Sequence, residues 1–115
     1  MFKGLLFGVL LALASQVTPV YAQPLVATYD AWQTIKYFPP DQQAIALEVF
    51  YCESRWDKSA VGMYGERGIP QIHPIHFSRY EVTGDQLAEA PLLAGIVAYQ
   101  IYLEQGWSAW GCYSG

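Results

Sequence analysis

The chain has 115 residues, room for a single domain, and a formal net charge of −4 at pH 7. Six Lys and Arg residues stand against ten Asp and Glu, and the basic residues are scattered without a stripe or cluster. Nucleic acids and anionic membranes are bound through clustered positive charge, so the composition argues against either partner.

The first 22 residues have the parts of a secretory signal peptide. Lys3 gives a short basic start, residues 5–14 are almost wholly apolar, and Val20-Tyr21-Ala22 has the small-x-small pattern of a cleavage site. We therefore expect cleavage after Ala22, with residues 23–115 forming one secreted or periplasmic domain that has no stable membrane insertion. The alternative is a retained anchor, but the apolar stretch is shorter than the roughly 20 residues of a spanning helix.

Helical patterns begin soon after the expected cleavage site. A capping Thr28 and apolar residues at helical spacing predict a first helix over residues 29–37, which Pro39-Pro40 would end. Asp41 is a typical N-cap residue and predicts a second helix that runs to about residue 54.

The next segment, residues 61–72, lacks a helical pattern. Its glycines Gly62, Gly65 and Gly68 fall three apart, which favours the tight turns of a small β-hairpin or an ordered loop. This segment, called the glycine loop below, precedes a short helix predicted over residues 74–80.

The last predicted helix covers residues 91–105. Pro91 suits its first turn, Gly106 suits its C-terminal cap, and its apolar residues lie nearly all round, as in a buried helix. The expected fold is therefore mainly α, of the α+β kind, with three main helices around one core and a small β-hairpin or loop insert.

Two cysteines, Cys52 and Cys112, lie in the part expected to be exported. An oxidising compartment favours their disulfide, and closing a loop of this length would stabilise the fold by about 4 kcal/mol in the chain-entropy account. One alternative is a pair of buried free thiols. Another is Cys52 as a nucleophile beside His73 or His76.

Glu53 stands at the C-terminal end of the second predicted helix. Val49 and Phe50 lie about one turn before it on the same face. Apolar neighbours and the negative end of the helix dipole both disfavour an ionised carboxyl, so they raise its pKa. A carboxyl that keeps its proton near neutral pH is suited to general acid catalysis. From its position alone, a solvated surface carboxylate is the more common interpretation.

Several short segments occur in a recognisable order after residue 50. They are Glu53-Ser54, Trp56-Asp57, Ser59-Ala60-Val61-Gly62, Tyr64-Gly65-Glu66, Gly68, Gln71-Ile72-His73-Pro74, Gly106-Trp107-Ser108-Ala109-Trp110 and Cys112. With these segments, residues 46–115 resemble the lytic transglycosylase and goose-type lysozyme branch of the lysozyme-like superfamily. The small secreted or phage-associated members and the resuscitation-promoting factors are the most similar.

The resemblance implies a lysozyme-like catalytic domain that cleaves the β-1,4 bond between N-acetylmuramic acid and N-acetylglucosamine in peptidoglycan. The glutamate of the family's Glu-Ser pair, which matches Glu53, is the general acid. The substrate's own 2-acetamido group acts in place of a carboxylate nucleophile. Attack by the muramic 6-hydroxyl gives the 1,6-anhydro product of a lytic transglycosylase, the outcome we expect, whereas attack by water makes the enzyme a lysozyme.

The same resemblance assigns further substrate contacts. Gln71 matches the Gln of the family's Gly-x-x-Gln motif, and Pro70, in a position usually held by Leu, Met or Phe, has no N–H to offer a sugar. The other expected substrate-binding residues are Tyr64, Ile72, Tyr99 and Trp107, and Tyr80 and Trp110 are further candidates for stacking on sugars. At least two of the candidate aromatic side chains belong to the core.

Glu66 has two interpretations. It is either a second carboxylate that overhangs the cleft, or an exposed turn residue paired with Arg67, which is the more common arrangement. His73 and His76 lie three apart but lack a third ligand at a suitable spacing, so no metal is expected. We expect a monomer without a cofactor, and the alternative to an enzyme is a non-catalytic peptidoglycan-binding module.

Overall fold

A computed structural model describes residues 22–115, and four α-helices account for most of them. These are α1 (Ala22–Ile35), α2 (Pro40–Ser54), α3 (Gly84–Glu89) and α4 (Pro91–Gln105), with 3-10 turns at Pro74–His76 and Trp107–Ala109. The prediction of a mainly helical domain is confirmed, but the described residues form four α-helices where three main helices were expected. The expected signal peptide lies outside the described residues, apart from Ala22.

The first helix begins earlier and ends earlier than predicted. It covers Ala22–Ile35, so Thr28 lies inside the helix and does not cap it. Pro24 falls in the first turn, where a missing backbone N–H costs no helical hydrogen bond. The helix therefore already runs before Thr28, the residue that the sequence pattern predicted as its N-terminal cap.

Helix α2 begins at Pro40, and the prediction of Asp41 as its N-cap is wrong. Pro39 occupies the cap position without a side-chain hydrogen bond, and Asp41 lies in the first turn, where its charge favours the helix dipole. At the other end Arg55 adopts a left-handed conformation, and its N–H donates to the carbonyl of Tyr51. This abrupt end leaves Glu53 in the last turn of α2.

Helix α4 has the predicted bounds, with Pro91 in its first turn and Gly106 at its C-terminal cap. Among the described helices, α1 and α4 make the most extensive contact. At Gly95 the two backbones approach so closely that an added Cβ would lie 2.7 Å from the carbonyl carbon of Thr34 and closer still to its oxygen. Glycine is therefore required at this crossing.

Aromatic side chains fill the core beside α4. Trp107 stacks on Phe38 at a ring distance of 5.4 Å, and Phe50 contacts Phe38 edge to face at 5.8 Å. Trp110 lies 5.6 Å from Phe50 and 5.4 Å from Trp107. These contacts attach the segment after α4 to the inner face of α2.

Of the two predicted forms of the glycine loop, a β-hairpin or an ordered loop, the structure has the ordered loop, with isolated bridges only. Arg67 pairs with both Val61 and Ile72, and residues 22–115 contain no longer strand. Gly68 has a φ of +77°, and an added Cβ there would lie 2.9 Å from the carbonyl oxygen of Leu87. The loop is therefore an ordered segment packed against α3.

Two short elements after the loop differ from the predictions. The segment after residue 73 forms only the 3-10 turn Pro74–His76, whose Pro74 accepts the N–H of Phe77, so the predicted helix to residue 80 is not made. Helix α3 was not predicted, although Thr83 and Gln86 form a reciprocal capping box at its start.

Cys52 and Cys112 form a disulfide that spans a sequence separation of 60 residues. Cys52 is exposed in the last turn of α2, and Cys112 is half-buried in the segment after α4. The disulfide therefore joins the end of α2 to residues 111–115, called the C-terminal tail below. The interpretation of Cys52 as a free nucleophile is not compatible with this bond.

The α1–α4 crossing yields a stability prediction at Gly95. Gly to Ala in a helix interior ordinarily stabilises by about 1 kcal/mol, but here the added methyl group overlaps the backbone of α1. We expect Gly95→Ala to lower the free energy of unfolding by about 1–3 kcal/mol, the usual cost of overpacking. Thermal and urea unfolding measure this value.

The matched control on the same helix is Gln100→Ala, an exposed site where Ala is the better helix former. This substitution should change the free energy of unfolding little. An equal or higher stability of Gly95→Ala relative to the native chain would show that α1 and α4 do not cross at Thr34.

Candidate active site

A small cavity lies where the end of α2, the glycine loop and the C-terminal tail meet. Its volume is about 110 Å³, below the roughly 300–1,000 Å³ of pockets that enclose whole small ligands. It is therefore too small to enclose a whole small ligand. The lining residues are Glu53, Glu66, Gln71, Ile72, His73, His76, Ile101, Ala109, Trp110 and Gly111.

Glu53 enters the cavity from the last turn of α2 and is half-buried. Its Oε2 accepts a hydrogen bond of 3.1 Å from the backbone N–H of Cys112. Burial raises the pKa of Glu53, the N–H of Cys112 opposes that rise, and the negative charge of Glu66 adds to it. The carboxyl therefore holds its proton more strongly than a solvated glutamate does.

Glu66 lines the same cavity, and its carboxylate is held by the glycine loop itself. Its Oε1 accepts the backbone N–H of Tyr64 at 2.7 Å. The expected pairing of Glu66 with Arg67 is not formed, because Arg67 bonds Asp85 on α3 at 3.1 Å instead. Glu66 is thus half-buried beside Glu53 and is not an exposed turn residue.

Gln71 is buried and adopts a left-handed backbone conformation with a φ of +54°. Its Nε2 donates to the carbonyls of Ala60, at 2.9 Å, and Gly68, at 3.0 Å, so the amide nitrogen holds the loop together. Its Oε1 and that of Glu66 would each lie 2.8 Å from a Cβ added at Gly62. The absence of a side chain at Gly62 therefore lets these two oxygens lie close to each other.

Of the aromatic residues expected to contact substrate, some lie at the cavity and others lie in the core. Tyr64 is 71% exposed, with its ring 6.3 Å from that of His73 at the cavity edge. Tyr99 packs on Phe38, and Trp107 is 7% exposed in the core, so neither lines the cavity. Trp110 does line it, and its Nε1–H donates to the carbonyl of Pro70 at 2.9 Å.

Ile72 and two histidines, His73 and His76, also line the cavity. Ile72, expected to contact substrate, lines the cavity with an apolar surface although the residue is only 2% exposed. His73 accepts the N–H of Ile75 on its Nδ1, and burial followed by the charge of His73 lowers the pKa of His76. Sequence reasoning considered these histidines only as metal ligands or as partners of Cys52, because their place beside Glu53 depends on the fold of the loop.

A second, larger depression lies between α1 and α2. This apolar groove has a volume of about 520 Å³ and is lined by Ala27, Thr28, Ala31, Trp32, Ile35, Leu47 and Trp56. It shares no residue with the cavity at Glu53. The described residues that line it include no carboxylate, histidine or thiol, whereas the smaller cavity is lined by Glu53, Glu66 and two histidines.

Residues 22–115 contain no group of three or more His, Cys, Asp or Glu side chains arranged to hold a metal ion. Across the same residues, no helix is both long enough and apolar enough to cross a membrane. Comparisons of the chain with protein-family models, with curated proteins and with solved structures found no match.

The proximity of the two carboxylates yields a prediction for the pKa of Glu53. Glu66→Gln removes the neighbouring negative charge but keeps an oxygen that can accept the N–H of Tyr64. Loss of that charge makes ionisation of Glu53 easier, so we expect the pKa of Glu53 to fall. Carbon-detected NMR titration of the side-chain carboxyls measures it residue by residue.

Glu89→Gln, which neutralises an exposed carboxylate on α3 outside the cavity, serves as the control and should leave the pKa of Glu53 unchanged. If Glu66→Gln leaves that pKa unchanged or raises it, the two carboxylates do not share the cavity.

Proposed function

We propose that this chain is an exported glycosidase that cleaves peptidoglycan glycan strands, with a lysozyme-like fold and Glu53 as its general acid. The observation that carries the proposal is a half-buried Glu53 with a raised pKa in an open cavity. In the motif resemblance, Glu53 matches the glutamate that is the general acid of the lysozyme-like family. The proposed enzyme acts as a monomer outside the cytoplasm and needs no cofactor.

The arrangement of the motif segments supports this proposal. Residues from the Glu-Ser, Tyr-Gly-Glu, Gln-Ile-His-Pro and Gly-Trp-Ser-Ala-Trp segments all line one cavity, although they are spread between residues 53 and 110. Residues with only structural roles would have no reason to meet around a carboxyl whose pKa is raised.

The proposed reaction begins with the proton of Glu53. Glu53 gives it to the bridging oxygen of the β-1,4 bond as that bond breaks, and the carbonyl oxygen of the substrate's 2-acetamido group bonds to the anomeric carbon. Positive charge develops on the sugar in this step, and Glu66, which lines the same cavity, is the candidate second carboxylate that would stabilise it. Ionised Glu53 then accepts a proton from the second nucleophile and regains its acid form.

The second nucleophile determines the product. Attack by the 6-hydroxyl of the same N-acetylmuramic acid opens the oxazolinium ring and gives a 1,6-anhydro sugar, the product of a lytic transglycosylase. Attack by water gives a reducing end, the product of a lysozyme. The transglycosylase outcome is the one proposed, on the strength of the motif resemblance.

A variant of Glu53 tests the proposal. Glu53→Gln is nearly isosteric and still offers an oxygen to the N–H of Cys112, but it has no acidic proton to donate. We expect the rate at which cell-wall sacculi are solubilised to fall by about 10²- to 10⁴-fold, the usual contribution of general acid–base catalysis. Mass spectrometry of the soluble fragments identifies the product of the native enzyme.

Glu89→Gln should solubilise sacculi at the native rate. Anhydro-muropeptides from the native protein agree with the proposal, whereas reducing ends would replace the transglycosylase with a lysozyme. Binding to sacculi without release would indicate the non-catalytic module, and native activity in Glu53→Gln would remove Glu53 from the mechanism.

A further inference from the structure

The hydrogen bond to Glu53 comes from a part of the chain with few other attachments. The N–H of Cys112 makes the 3.1 Å bond to Oε2, and residues 111 and 113–115 on either side are exposed. The tail is fixed by the disulfide to Cys52, by one backbone bond from the N–H of Tyr113 to the carbonyl of Trp110, and by the stacking of Tyr113 on Trp107 at a ring distance of 6.3 Å. Of these, the disulfide acts on Cys112 itself, so it is the attachment that fixes the donor most directly.

This hydrogen bond favours one oxygen of Glu53 over the other as the site of the acidic proton. A protonated carboxyl has one carbonyl oxygen, which accepts hydrogen bonds, and one hydroxyl, which donates. Because a carbonyl oxygen is the better acceptor, the N–H of Cys112 favours Oε2 as the carbonyl oxygen and Oε1 as the site of the proton. A tail that moved away would leave both oxygens equivalent and the proton without a fixed direction.

The disulfide that fixes the donor is open to solvent. Cys52 is exposed in the last turn of α2, adjacent in sequence to Glu53, and Cys112 is half-buried. Cys112 packs at the edge of the core, but the ring contacts that Trp107 and Trp110 make do not involve the disulfide. We therefore expect reduction to loosen the tail and to leave these ring contacts in place.

We propose that Cys112 is a positioning residue for Glu53 and that its exposed disulfide with Cys52 makes the cleavage activity reversibly sensitive to dithiol reductants. The inference rests on the proposed role of Glu53. In the step itself, a thiolate of the dithiol bonds to Sγ of Cys52, the Sγ–Sγ bond breaks, and Cys112 leaves as a thiolate that takes up a proton. The second thiol of the reductant then displaces the Cys52 thiolate, so the reductant ends as a disulfide and the protein as two thiols.

The first experiment tests the contact and needs no activity. In the oxidised protein, the amide resonance of Cys112 should shift with pH through the titration of Glu53, because the acceptor of its N–H changes charge. The shift should persist in Glu48→Gln, the control for the other carboxylate near Cys112, and disappear in Glu53→Gln. A Cys112 amide that does not follow Glu53 would overturn the positioning role, whatever the enzyme's activity.

The second experiment compares oxidised protein with protein reduced by dithiothreitol, using soluble glycan strands as substrate. A misplaced acid slows the chemical step more than it weakens binding, so we expect kcat to fall on the order of tenfold with little change in KM. Reoxidation should restore kcat. The variant with Cys52→Ser and Cys112→Ser should resemble the reduced protein and should not respond to dithiothreitol.

Near-ultraviolet circular dichroism shows whether the reduced protein keeps its aromatic packing. A folded reduced protein with native kcat would overturn the proposal, and so would a reduced protein that unfolds, because the disulfide would then act only on stability. If the oxidised protein cleaves nothing while the Cys112 amide follows Glu53, the proposed function fails and the positioning contact stands.

Discussion

The site depends on the packing of Trp110, because this one side chain contacts the three segments that form the cavity. Its ring lies against Phe50 of α2, its Nε1–H donates to the carbonyl of Pro70 in the glycine loop, and it belongs to the segment that leads to the C-terminal tail. The glycine loop and the C-terminal tail have little regular secondary structure of their own. Because these segments meet at the buried indole of Trp110, Glu53 and the loop residues line one cavity, and Cys112 lies next to Glu53.

The features that were predictable from the sequence are those set by neighbouring residues. Helix α4 could be located because Pro91 and Gly106 mark its ends and its interior is apolar. The setting of Glu53 was also predictable in part, since its place in the last turn follows from the extent of α2. The source of its raised pKa was predictable only in part, because the contribution of Glu66 comes from a segment 13 residues away.

The features that were not predictable depend on contacts between distant segments. Arg67 is adjacent to Glu66, yet it pairs with Asp85, a residue 18 positions away, and so leaves Glu66 facing the cavity. Trp107 and Trp110 belong to one motif and have the same chemistry. Only three-dimensional packing separates them, since Trp107 is covered within the core while Trp110 reaches the cavity.

The proposed function requires that a glycan strand binds at the cavity of Glu53. The most direct test is a titration of the Glu53→Gln variant with a tetrasaccharide of alternating N-acetylglucosamine and N-acetylmuramic acid, followed through backbone amide NMR shifts. Shifts concentrated at Ile72, Gly111 and their neighbours in the cavity wall are the expected result. Shifts confined to the apolar groove between α1 and α2, or no shifts at saturating sugar, would contradict the claim.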